Sequence, residues 1–250
     1  MQVSGNTVLI TGGASGIGLA LAERFVNEGS TVIICGRREA KLQEAKEAVP
    51  ALHTRVCDVS DPEQRIALVD EVTGTFPDLN VLVNNAGMQQ RANLLGPAED
   101  WSRFRKEIES NVDAPMHLSM LLAPHLAQKP RAAIINVSSG LAIMPGVWVP
   151  VYSATKAALH SFTISLRIQL SSTPIEVIEV FPPAVNTDLG GVGLHTFGAP
   201  LNDFADSVFA DLGTDKLEIG YGGTEERLKS TREELNEMAR QAWERMNSSS

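Results

Sequence analysis

Cysteine is scarce: only Cys35 and Cys57 occur in 250 residues. They form neither a CxxC pair nor a disulfide framework. Both lie in apolar stretches, where a thiol is more often buried than a ligand. The five histidines show no HExxH or other metal spacing, so no metal is expected. Positive charge is also short: 21 basic residues face 30 acidic ones, for a net charge of −9. Nucleic acid needs basic patches and is not an expected partner. No apolar run approaches the roughly 20 residues of a membrane-spanning helix, so no membrane partner is expected either. The opening Met1-Gln-Val-Ser-Gly-Asn6 carries no basic n-region, and the expected location is the cytoplasm.

What is present is an alternation. Short runs rich in Val and Ile occur at Val8–Thr11, Thr31–Cys35, Leu52–Cys57, Val81–Asn84, Ala133–Val137, Ile175–Phe181 and, less clearly, Leu217–Gly220. Continuous apolar runs suit strands covered on both faces, the mark of a parallel sheet. Helical periodicity fills the gaps at Ile17–Glu28, Arg38–Ala48, Pro62–Thr75, Trp101–Ala127 and Tyr152–Leu170. The expected fold is α/β: one doubly wound Rossmann domain over residues 1–250, with a parallel seven-stranded sheet and helices on both faces. The stretch 187–215 breaks the rhythm with Gly190, Gly191, Gly193, Gly198 and Pro200, and reads as a lid or substrate loop. Residues 224–247 read as one charged C-terminal helix, with Leu228, Leu235, Met238, Ala242 and Met246 on its apolar side. The Ser248–Ser250 end reads as frayed.

The turn Thr11-Gly-Gly-Ala-Ser-Gly-Ile-Gly18 follows a strand and opens a helix. Glycines there permit a tight turn and a close backbone approach to a pyrophosphate, which the helix N-terminus then receives. Gly36 ends the second strand where an NAD-binding chain usually carries an acid for the ribose hydroxyl, and Arg37 and Arg38 follow. Forked guanidinium donors suit a phosphate, so NADP(H) fits better than NAD(H). Asp58 follows the third strand and suits either an adenine amine or a helix cap. Asn84-Asn85-Ala86-Gly87 ends the fourth strand, as a ligand-side segment or as a turn held by Asn side chains.

Tyr152 and Lys156 stand four apart, on one helix face. An ammonium beside a phenol lowers its pKa toward working pH. Alone, such a pair is more often structural. Ser139, thirteen residues before Tyr152, can donate to a substrate oxygen or simply cap a turn. Asn111 lies mid-helix, where Asn is disfavoured without a partner.

Together, TGGASGIG, NNAG, Asn111, INVSS and YSATK resemble the short-chain dehydrogenase/reductase family in order and spacing, over roughly Thr7 to Asp188. The resemblance implies an NADP-preferring alcohol dehydrogenase or carbonyl reductase acting on a small-molecule alcohol or carbonyl. It implies that Tyr152 is the acid/base, that Lys156 lowers its pKa and holds the nicotinamide ribose, that Ser139 polarises the carbonyl, and that Asn111 holds a water linking Lys156 to solvent. It places cofactor contacts on Gly12, Ser15, Gly16, Ile17, Gly18, Arg37, Arg38, Asp58, Val59, Asn85, Ala86, Gly87, Tyr152, Lys156, Val185 and Thr187. It also implies a homodimer or homotetramer.

Two features depart from the family pattern. Pro182-Pro183-Ala184 stands where Pro-Gly is usual, and Pro183 brings a fixed φ and no N–H. Glu218-Ile-Gly-Tyr-Gly-Gly223 and an added helix replace the common Asp-Gly-Gly ending, which puts the tetramer contacts in doubt. Met88, Leu141, Met144, Val147 and Trp148 are candidate apolar pocket residues; Arg91 and His195 are the charged alternatives. Two rivals share the scaffold: epimerisation or dehydration with held nucleotide, and a non-catalytic nucleotide sensor. A serine hydrolase fits less well, because Ser139 lacks a GxSxG elbow.

Overall fold

The computed structural model describes residues 1–97 and 100–248, and side chains up to residue 245. Seven parallel strands form one sheet: β1 (Thr7–Thr11), β2 (Thr31–Gly36), β3 (His53–Val56), β4 (Val81–Asn84), β5 (Ala132–Val137), β6 (Ile175–Phe181) and β7 (Glu218–Gly220). Their spatial order is β3-β2-β1-β4-β5-β6-β7. The chain winds outward from β1 to β3, then returns to β4 on the other side of β1. Strand order reverses there, and a doubly wound sheet binds ligands in the crevice at such a point.

Successive side chains in a strand point to opposite faces, and each face has its own aliphatic layer. Val8, Ile10, Val32 and Ile34 pack with Leu21 and Phe25 of α1 (Gly16–Asn27) and Phe204 of α7 (Leu201–Leu212). Leu9, Ile33, Leu82 and Ile134 pack with Leu118 and Leu122 of α5 (Ala114–Leu126) and Leu166 of α6 (Pro150–Gln169). The remaining helices are α2 (Glu39–Ala48), α3 (Pro62–Thr75), α4 (Trp101–Ile108), α8 (Gly223–Arg227) and α9 (Arg232–Ser248).

Three expectations need correction. The single helix expected over Trp101–Ala127 is interrupted by a π-helical turn at Glu109–Asp113, which carries Asn111. The loop expected over 187–215 is half helix: α7 buries Phe204, Ala205, Val208 and Leu212, an apolar spacing hidden behind the glycines before it. The single helix expected over 224–247 is two. The second is opened by a reciprocal cap, in which Glu234 accepts from the Thr231 N–H (2.7 Å) and Thr231 Oγ1 accepts from the Glu234 N–H (3.3 Å). On that helix Ala239 is buried and Met238 exposed. The Met246 side chain and Ser249–Ser250 lie outside the described residues, and so does the frayed end expected there.

β3 is an edge strand with Val56 exposed, and the apolar anchors of its stretch are the flanking Leu52 and Cys57. The two thiols, isolated in sequence, are both buried and meet across β2 and β3: the Cys57 contact and burial push the Cys35 thiol up. Among the described residues, no helix is long and apolar enough to cross a membrane, and no His/Cys/Asp/Glu group could hold a metal.

Candidate active site

The turn after β1 is built for close approach. Gly12 and Gly16 have φ of +65° and +54°, in the region glycine tolerates best. A Cβ on Gly18 would lie 2.4 Å from Asn85 Nδ2 and 2.5 Å from the Gly12 carbonyl oxygen. The Asn85 amide is spent here: Nδ2 donates to the carbonyls of Thr11 (2.9 Å) and Gly12 (3.2 Å). Thr11 Oγ1 in turn accepts from the N–H groups of Asn85 and Ala86, both at 3.0 Å. The NNAG segment is thus pinned to the glycine turn. Ser15 precedes α1 without a side-chain cap bond, so the free N–H groups and positive end of that helix face the crevice. Thr187 reaches the same place, with Cγ2 3.3 Å from where a Gly16 Cβ would be. Val185 is buried beside it, bridged to Ala199.

At the far end of the crevice, Arg37 is half exposed, with Nη1 3.9 Å from Asp58 Oδ2. Asp58 Oδ1 accepts from Ser60 Oγ (2.8 Å) and the Ser60 N–H (3.0 Å). The cap of α3 is Asp61, which accepts from the N–H groups of Glu63 and Gln64. The capping alternative for Asp58 therefore falls away. The Val59 carbonyl accepts from Arg65. Arg38 is exposed at the start of α2.

The other cluster stands at the carboxyl ends of β4 to β6. Ser138 donates to the Val180 carbonyl (3.2 Å) and is buried against the sheet. Ser139 is the serine that acts on Tyr152, drawing its phenol's pKa down, and Ser139 Oγ accepts from the Leu141 N–H (3.1 Å). Tyr152 lies in the first turn of α6, where Pro150 is placed at the start of the helix as its missing N–H allows. Burial pushes its phenol up to about 12, against the pull of Ser139. Lys156 Nζ donates to the Val137 carbonyl (2.9 Å) and stands 5.7 Å from the Tyr152 ring centroid. Burial pulls its ammonium down to about 8, against the charges of Glu179 and Glu107. The expected lowering of the phenol by Lys156 is not the effect that dominates here; burial is.

Asn111 is buried and fully used. Its Oδ1 accepts from the Met88 N–H (2.8 Å), and its Nδ2 donates to the Met88 carbonyl (2.8 Å) and Thr155 Oγ1 (3.1 Å). Its amide fixes the loop after β4 to α6. A Cβ on Gly87 would lie 3.3 Å from Asn111 Oδ1 and 3.7 Å from Lys156 Nζ, so the three share one small space.

The family described as short chain dehydrogenase matches residues 6–192. The chain belongs to the short-chain dehydrogenase/reductase family of oxidoreductases. It is 45% identical over 248 residues to the uncharacterized oxidoreductase DltE of Bacillus subtilis, covering 99% of this chain and 98% of that one. A short chain dehydrogenase from Burkholderia cenocepacia, solved in complex with NADP, superposes with a TM-score of 0.83 at 26% identity, covering 96% of this chain and 99% of that one. A short chain dehydrogenase/reductase from Burkholderia phymatum, solved in complex with NAD, shares the fold with a TM-score of 0.79 at 22% identity, covering 88% and 90%.

In this short-chain dehydrogenase the sequence-selected Ser139, Tyr152, Lys156 and Asn111 meet in one place, and Gly12 to Gly18 meet Asn85 to Gly87, Val185 and Thr187. Two residues beside the site were missed. Thr224 donates from Oγ1 to the Phe181 carbonyl (2.8 Å), and its Cγ2 lies 2.4 Å from where a Gly140 Cβ would be, so the start of α8 braces the turn that carries Ser139. Glu107 is 0% exposed, and neither oxygen has a partner in hydrogen-bonding geometry. Desolvation raises its carboxyl to about 7, against the backbone N–H of Gln90 and the charge of Lys156. The signal was available: Phe104, Glu107 and Asn111 follow helical spacing, and a carboxyl sits on that stripe.

Proposed function

We propose that this chain is an NADP(H)-dependent oxidoreductase that interconverts an alcohol and a carbonyl. The observation that carries it is the convergence of Ser139, Tyr152 and Lys156 two strands along the sheet from the glycine turn and the uncapped end of α1. The residues fit a dinucleotide. The Gly12–Gly18 turn and the first N–H groups of α1 would hold its pyrophosphate. Arg37 and Arg38, beside a Gly36 that offers no carboxylate, favour a 2′-phosphate over a free ribose hydroxyl. Lys156 would hold the nicotinamide ribose, with Val185 and Thr187 against the nicotinamide. When bound, the nicotinamide supplies or accepts a hydride at C4.

The protein handles the proton and the developing charge. In reduction, Ser139 Oγ donates to the carbonyl oxygen and stabilises the negative charge that grows there. Tyr152 then gives its phenolic proton to that oxygen, and in oxidation takes it back. Ser139, beside Tyr152, would direct the phenol toward the same oxygen. Asn111 keeps the Met88 backbone and Thr155, hence the first turns of α6, in register.

Exposed apolar side chains on two neighbouring loops favour an apolar substrate: Leu94 and Leu95 after β4, and Val192 and Phe197 after β6. Met120 and Ile168, exposed on α5 and α6, suit a second copy of the chain. A cytoplasmic setting is part of the same reading.

Energy transfer from protein fluorescence to bound nicotinamide tests the cofactor, with NADPH titrated against NADH. Oxidation of NADPH in the presence of a panel of aldehydes and ketones then tests the reaction. Tighter binding of NADPH and turnover with a carbonyl are expected. Tighter NADH binding would overturn the reading of Gly36-Arg37-Arg38, and binding of neither would overturn the oxidoreductase assignment.

A further inference from the structure

Glu107 sits where a carboxyl is costly. It is 0% exposed and both oxygens lack a hydrogen-bonding partner, although buried polar groups are paired in all but a few cases. α4 packs on α6 and on the π-helical turn, and Glu107 lies one turn before Asn111 on that packed face. Across it stand Tyr152 and Lys156 of α6, with Lys156 Nζ and Asn111 Oδ1 both against Gly87, and the carboxylate charge pushes the pKa of both groups up. A leucine there would cost nothing in desolvation. The carboxyl is therefore kept for its charge, and the ammonium of Lys156, itself 4% exposed with Val137 as its oxygen partner, is the charge it faces.

We propose that Glu107 is the buried counter-charge of Lys156, a positioning residue that keeps the ammonium protonated in the dry pocket. Two carboxylates then flank the lysine. Glu179 acts from β6 but is committed through Oε2 to His160 Nδ1 at 2.9 Å. Glu107 acts from α4, where the Gln90 backbone N–H also draws on it. Its effect depends on its own ionisation. Above neutrality it is charged and supports the ammonium; below neutrality it takes a proton and withdraws that support, at a pH where Lys156 no longer needs it.

The ionisable groups facing Glu107 are Tyr152 and Lys156 from α6, with Glu179 and its partner His160 behind Lys156. The loop after β4 presents the neutral Met88 and Gln90. On its own helix Arg103, Arg105 and Lys106 are exposed. None of these other than Lys156 offers a buried positive charge.

The catalytic consequence rests on the reaction proposed above; the electrostatic pairing does not, and is tested without substrate or cofactor. The Cε resonance of Lys156, identified by its loss in Lys156→Arg, is followed through a pH titration of the wild type, Glu107→Gln and Glu107→Asp. In Glu107→Gln the Lys156 midpoint should fall by about 1 pH unit or more, while Glu107→Asp stays near the wild type. An unchanged midpoint in Glu107→Gln overturns the proposal, since the isosteric amide preserves any purely structural role. Should Glu107→Gln fail to fold, the wild type alone decides. The infrared carbonyl band of a protonated carboxyl should persist toward neutrality, and the Lys156 resonance should shift as that band disappears. A band lost in the ordinary acid range, or a lysine resonance indifferent to it, also overturns the proposal. Failure of NADPH to turn over with any carbonyl would count against the enzyme reading and leave this pairing standing.

Discussion

On the β1–β3 side of the sheet the strand interiors are aliphatic: Val8, Leu9, Ile10, Val32, Ile33 and Ile34 are all buried. Arg37 and Arg38 of that side stand exposed on the rim, with Asp58 partly buried beside them. On the β4–β6 side polar groups pass through the interior. Asn84 Nδ2 donates to Asn136 Oδ1 (2.8 Å) and Ser119 Oγ (3.1 Å), and Asn136 Nδ2 donates to Thr163 Oγ1 (2.9 Å). Glu107, Glu179 and Lys156 are buried in the same half. The rim groups suit a charged ligand that arrives with its own solvent shell and leaves again. The interior groups suit proton chemistry, because low polarity shifts ionisation and strengthens each dipole.

The sharpest division between the halves comes from Tyr152→Phe. The ring and its packing survive, and only the hydroxyl with its transferable proton is lost. Turnover should fall by about 10²- to 10⁴-fold while NADPH affinity is unchanged, measured by steady-state rates and fluorescence titration. A parallel loss of affinity would mean the halves are not separable.

Asn136→Ala probes the interior network directly. It strips Asn84 and Thr163 of a partner at once, and leaving buried polar groups unpaired costs about 1–3 kcal/mol. Chemical denaturation should show that loss. A cost near zero would mean that water enters the half that is otherwise dry.

On the rim, Gly36→Asp should exchange cofactor preference. A Cβ there meets only Ala14 and Leu42 side chains at 3.9 Å, so the substitution fits without strain. It supplies the missing acceptor for a ribose hydroxyl and repels a 2′-phosphate beside Arg37. The NADPH-to-NADH affinity ratio should fall by about tenfold or more, since each 1.4 kcal/mol is a factor of ten. No change would mean that the arginines do not meet the ribose at all.

This contrast also explains what could be read from the chain. Strand positions, the parallel doubly wound sheet and the glycine turn were legible, because apolar periodicity and positive-φ glycines act locally. Gly36-Arg37-Arg38 was legible because a rim group is recognised by type and place. Glu107 and Glu179 were not singled out, since it is tertiary packing that puts them out of water. The break at Glu109–Asp113 is set by Asn111 reaching the Met88 backbone, a contact across 23 residues of sequence. The cap at Thr231 was legible in its Thr-x-x-Glu pattern and was passed over because the apolar stripe ran on through it. The helix inside 187–215 was obscured by the glycines that precede it.

The smallest effect concerns the second buried acid. His160 lies 2.9 Å from Glu179 through Nδ1, and the hydrogen bond with Glu179 raises its pKa above the ordinary 6.5. A histidine raised in the folded state adds stability that is fully present below its unfolded value and lost as pH climbs through the raised one. Wild-type stability should therefore decline slightly above pH 6.5, by no more than about 1 kcal/mol for a partly exposed imidazole. His160→Gln keeps a polar partner for Glu179 and removes the titration, so its unfolding free energy should be flat over that window. A wild-type curve equally flat would mean that the pair carries no net charge interaction. Glu179 would then accept from a neutral His160, and its charge would be directed, like that of Glu107, at Lys156.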